Sequence, residues 1–106
     1  MSREIEFLYP LTREGTDRLR VMARTEAGVI QGFVVQYEAY IKEVWRPIVR
    51  FDTMHGFAHK DILHPDGTQD KQPMRFGDYN IAFTFAIQDL KGSWRWYRMG
   101  YETEVQ

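Results

Sequence analysis

The chain has 106 residues, a formal net charge of -1 and no cysteine, which is enough for one domain with its own core and excludes disulfide, thiolate-metal and cysteine-nucleophile chemistry. So small a net charge gives no overall field to gather nucleic acid or an anionic membrane, so any basic surface must be local. No long apolar segment follows the charged residues near Met1, so neither a signal peptide nor a membrane span is expected, and residues 1–106 are read as a single cytoplasmic domain.

Residues Ile5 to Gly15 mix apolar and turn residues around Pro10 and read as a lead-in with a short edge strand at most. From Asp17 to Thr25 the alternation is clean: Leu19, Val21 and Ala23 on one side, Arg18, Arg20, Met22 and Arg24 on the other. Glu26-Ala27-Gly28 turns the chain into Val29–Tyr40, dense in β-branched and aromatic residues, with Val29, Phe33, Val35 and Tyr37 on the core side. A third strand, Val44 to Asp52, sets Trp45, Val49 and Phe51 against Arg46, Arg50 and Asp52, and Pro47 points to a strand edge or bulge. Gly56 bends the chain, Ala58–His64 forms a fourth strand, and Pro65-Asp66-Gly67 turns it into a short polar strand before Pro73 that belongs at the sheet edge.

The last third changes period. Gly77-Asp78 reads as turn and N-cap, Phe83, Ala86, Ile87, Leu90, Trp94, Tyr97 and Tyr101 recur at helical spacing, and Gly100 is a C-cap candidate. A second apolar stripe, Ile81, Phe85, Trp96 and Met99, lies on another face of the same helix. With three Trp, six Tyr and seven Phe, the chain carries more aromatic surface than a small interior hides, so a homo-oligomer formed through the C-terminal helix is expected. The expected fold class is α+β, an antiparallel four- or five-stranded meander packed against one long C-terminal helix.

Every histidine falls within Arg50–Gly67, so most side chains that titrate near neutral pH share one segment. Metal-independent cleavage of RNA needs a base for the 2′-hydroxyl, an acid for the leaving oxygen and a cation at the phosphate. His55 and His59 supply base and acid in either order, Arg50 or Lys60 the cation, and Asp52 or Asp61 the group that fixes an imidazole tautomer. On a strand, His59 and Asp61 share one face while Lys60 and His64 share the other. The arginine-rich face of the first strand, with Arg46, Arg50, Arg95 and Arg98, is a candidate phosphate patch.

Two other readings compete. A metal shell of His55, His59 and His64 with Asp52 or Asp61 has suitable donors but no established spacing, so no metal or other cofactor is expected. In the non-enzymatic alternative the histidines are structural, the carboxylates pair with Arg50 and Lys60, and the aromatic helix and arginine face bind a protein partner.

The segment Arg50-Phe51-Asp52-Thr53-Met54-His55-Gly56-Phe57-Ala58-His59-Lys60-Asp61 resembles small bacterial proteins that share an R-[FY]-D-T-x-H-G-F-A-H-x-D stretch. The resemblance extends into the Pro65-Asp66-Gly67 turn and the Trp/Tyr-rich helix and implies no particular activity. Over Arg50–Gly67 the chain is also similar to TumE-type toxins of toxin–antitoxin pairs, with Ala58-His59 where that pattern has adjacent histidines. This likeness implies a toxin-like protein acting on RNA; no catalytic residue is carried over from it.

Overall fold

In a computed structural model, which describes residues 1–105, six strands and one helix follow in chain order: β1 (Ser2–Pro10), β2 (Asp17–Glu26), β3 (Val29–Ile41), β4 (Val44–Asp52), β5 (His59–Leu63), β6 (Gln69–Pro73) and α1 (Tyr79–Glu104). The strands form one antiparallel sheet in the order β1-β2-β3-β4-β5-β6. The α+β class and the long C-terminal helix agree with the sequence; the sheet has one strand more than expected. The addition is β1, which pairs with β2 from Ser2 opposite Glu26 to Pro10 opposite Arg18. It is exposed along its whole length, so no buried stripe marks it in the sequence.

α1 lies over β3 and β4 and buries Ala82, Ala86, Leu90, Trp94, Tyr97 and Tyr101 against Leu19, Val21, Val35, Tyr37, Val49 and Phe51. The Asp78 side chain accepts a hydrogen bond of 2.8 Å from the Ile81 N–H, satisfying one of the donors that a helix start leaves open. Gly100 does not end the helix, which continues to Glu104 with Val105 as its C-cap, because Tyr101 extends the buried stripe one turn further. Among the described residues, no helix is long and apolar enough to cross a membrane.

Two bulges change which side chains meet the core. A register shift between Arg24 and Thr25 sets Thr25 opposite Ile30 and Arg24 opposite Gly32. The extra residue reverses the phase, so Ile30 packs on the core and Val29 is exposed. In β4 the partners jump from Tyr37–Val49 to Glu38–Pro47. Trp45 is thereby carried to the face away from the helix, where the Arg18 guanidinium lies 3.7 Å over its ring.

Candidate functional site

The sheet has one face under α1 and one open face, and cross-strand register decides which side chains meet on each. Phe51 touches Phe85 of α1, and Lys60, opposite Phe51, donates from Nζ to the Tyr97 hydroxyl at 2.6 Å. Lys60 therefore lies under the helix. By alternation Arg50 and Asp52 of β4 and His59 and Asp61 of β5 lie on the open face, with Arg50 opposite Asp61 and Asp52 opposite His59.

There Asp52, His59 and Asp61 form a compact cluster. His59 Nε2 is 2.9 Å from Asp52 Oδ1 and 3.6 Å from Asp61 Oδ2. The three residues are 4%, 1% and 3% exposed respectively. Asp52 Oδ1 also accepts the Met54 N–H at 3.0 Å, which ties the cluster to the single 3₁₀ turn Met54–Gly56 linking β4 to β5. His59 Nδ1 lies 3.4 Å from the Phe57 carbonyl oxygen, and the Phe57 ring sits 5.6 Å from the imidazole. Asp61 Oδ1 is buried and has no hydrogen-bond partner among the described residues. Buried oxygens of this kind are rare and ask for a reason beyond packing.

His55 stands at the mouth. It is exposed, its ring stacks on His59 with centroids 6.0 Å apart, and its φ of 75° is left-handed, a strained conformation for a non-glycine residue that is more common at working sites than elsewhere. Beside the turn opens a cleft of about 470 Å³, lined by Glu4, Glu6, Met22, Arg24, Val34, Asp52, Thr53 and Met54 among others.

The remaining expected site residues are spread apart. Arg50 donates from Nε to Gln36 Oε1 at 2.7 Å. Lys60 stays across the sheet, near Tyr97 and 4.0 Å from Asp89; burial, and after it the hydrogen bond to Asp89, pushes the Tyr97 hydroxyl well above the ordinary range. His64 is held away from the cluster, with Nε2 2.8 Å from Asp70 and Nδ1 2.9 Å from Glu104.

Much of the arginine face is occupied by a residue the sequence reading passed over. Glu38 is buried and takes Arg18 Nε at 2.8 Å, Arg20 Nε at 3.0 Å and Gln36 Nε2 at 2.6 Å. Burial raises its carboxyl, but the hydrogen bonds from Arg20, Arg18 and Gln36 outweigh that and leave it below the usual carboxylate range. Glu38 alternates with Gln36 and Val34, so it could have been placed opposite Arg18 once the β2–β3 hairpin register was drawn. On α1, Arg98 is committed to Asp17 and Arg95 lies over Trp94.

A family model matches residues 1–106, and it describes a domain of unknown function, DUF7718. The chain belongs to the DUF7718 family. No curated protein and no solved structure matches it. In this DUF7718 chain the geometry permits two kinds of chemistry: proton transfer at exposed His55, and charge held at the buried carboxylate–imidazole cluster behind it.

Proposed function

We propose that this protein is a small, toxin-like hydrolase of RNA whose working centre is the end of the open sheet face where β4 passes into β5. The observation that carries the reading is the buried His59 set between two carboxylates, one with an unpartnered oxygen, directly behind exposed His55. A histidine kept only for packing would have its polar neighbours satisfied. In this reading His55 is the imidazole that reaches substrate and transfers the proton to or from the ribose or leaving oxygen. His59 is 1% exposed and acts from behind, through His55 or through what the carboxylates hold. Arg50, anchored by Gln36, keeps its terminal nitrogens for the phosphate.

The test is incubation of the purified full chain with labelled mixed-sequence RNA. Cleavage is expected, with His55→Ala slowing it about 100-fold or more, in the range for loss of a positioned acid or base, and His64→Gln leaving it unchanged. Absence of cleavage by wild type, or equal cleavage by His55→Ala, removes the reading.

A second reading is favoured by one specific observation: Ile81, Trp96 and Met99 of α1 are 52%, 71% and 61% exposed. A second copy of this chain seated on that stripe makes the helix an isologous dimer face, compatible with either role for the histidines.

A further inference from the structure

The Asp52–His59–Asp61 cluster gathers two buried carboxylates around a single imidazole. If the His59 Nδ1–H points at the Phe57 carbonyl, a neutral ring turns its Nε2 lone pair toward two carboxylate oxygens. If the ring is doubly protonated, two buried carboxylates and one imidazolium still leave one uncompensated negative charge, which is costly away from water. The third state, a neutral ring with its proton on Nε2, donates to Asp52 Oδ1 and, like the other two, supplies no donor to Asp61 Oδ1. An anionic phosphodiester is also repelled by such a centre.

A doubly charged cation removes all of these difficulties. A cation bonded at about 2.1 Å to nitrogen and oxygen donors holds them about 3.0–3.4 Å apart. Here Nε2 is 2.9 and 3.6 Å from the two carboxylate oxygens, and all three donor atoms lie within 4.8 Å of one another. The surroundings are those of a prepared ligand set: the distal imidazole nitrogen faces a backbone carbonyl and Asp52 is braced by the Met54 N–H. One imidazole with two carboxylates favours divalent ions of borderline hardness over soft copper(I) and over calcium, which takes an all-oxygen shell.

We propose that Asp52, His59 and Asp61 are the protein ligands of one divalent transition cation, manganese(II), iron(II) or zinc(II). Asp61 Oδ1 is then either a second ligand atom from the same carboxylate or the acceptor for a water on the ion. The inference rests on reading this cluster as a working centre, and it replaces a metal-free mechanism by one in which the cation activates water or screens the phosphate while His55 transfers the proton.

The experiment is calorimetric titration of EDTA-stripped full-length protein with manganese(II) and zinc(II), and anaerobically with iron(II), alongside metal-free urea denaturation. Wild type is expected to take up one equivalent of at least one of these ions. Asp61→Asn is expected to weaken that uptake by at least the roughly 10–100-fold that loss of a supporting group costs. Metal-free Asp61→Asn should be as stable as wild type or more so, because the substitution relieves two facing carboxylates; a purely structural His59 ion pair requires it to be less stable. His64→Gln should still bind one equivalent. No uptake by wild type, equal uptake by Asp61→Asn, or a destabilised metal-free Asp61→Asn overturns the site. RNA cleavage by a protein that takes up no metal overturns the cation site and leaves the hydrolase. Stoichiometric binding by a protein that cleaves no RNA does the reverse.

Discussion

Among single residues, the Asp17–Tyr37–Arg98 contact shows how this fold tolerates charge. Asp17 is buried, accepts the Tyr37 hydroxyl at 2.6 Å and takes Arg98 Nη1 at 2.9 and 3.0 Å on its two oxygens. Burial, then the hydrogen bond to Asp17, raises the Tyr37 hydroxyl far above its ordinary range, so it remains a donor at any working pH. Arg98→Met leaves a buried carboxylate without its counter-charge and is expected to cost about 3–5 kcal/mol. Tyr37→Phe removes one hydrogen bond while the ion pair stays, and should cost about 1–2 kcal/mol. Urea unfolding of the two variants measures both values, and the opposite ranking would contradict the assignment. In the sequence Tyr37 was legible as core, but not its partner, because Asp17 and Arg98 are 81 positions apart and no local pattern joins them.

At the level of elements, α1 ends against its own dipole. Its last turn carries Glu102 and Glu104 and no basic residue, where negative charge is unfavourable. Glu102 is offset from within the helix, by Arg98 one turn earlier at 3.3 Å, and Glu104 from outside it, by His64 set between Glu104 and Asp70. The hydrogen bonds to Asp70, then to Glu104, raise the His64 pKa above its ordinary 6.5. Since the folded protein holds this proton more tightly than the unfolded chain, the clamp stabilises fully below about pH 6.5 and is lost as pH rises through the higher folded value. Stability measured by urea midpoint should therefore fall as pH rises above about 6.5, and His64→Gln should flatten that part of the profile. An identical slope in the variant would assign the loss to other groups. Helix, N-cap and buried stripe could all be read from spacing. The phases of β3 and β4 beyond their bulges could not, since one inserted residue exchanges the two faces without any mark in composition.

For the whole molecule, one sheet carries two surfaces of different character, an apolar side under the helix and a titratable side in the open. Side-chain alternation alone put His59 and Asp61 together and Lys60 apart; bringing Asp52 onto His59 needed the β4–β5 register, which the length of the connecting turn does not dictate. The helix stripe belongs to the same scale. From Ile81 to Met99 it runs about 27 Å, with Gly92 near its midpoint and nothing within 4 Å of where a side chain would begin. Two copies crossing there would pair Ile81 of one with Met99 of the other. Sedimentation should find a dimer that Trp96→Lys with Met99→Lys converts to a folded monomer; a wild-type monomer at high concentration would leave the stripe without this partner.

Asp52, His59 and Asp61 all come from β4 and β5, joined by one short turn, and α1 contributes none of them. As the chain leaves the ribosome, all three side chains of the cluster are present once Leu63 has emerged. The oily underside of the sheet, with Leu19, Val21, Val35 and Phe51, has nothing to lie on until the residues after Tyr79 follow. A nascent chain thus holds the whole cluster before it holds the helix that covers its core, and translation arrested between β6 and α1 would release a species with that apolar face bare and prone to aggregate.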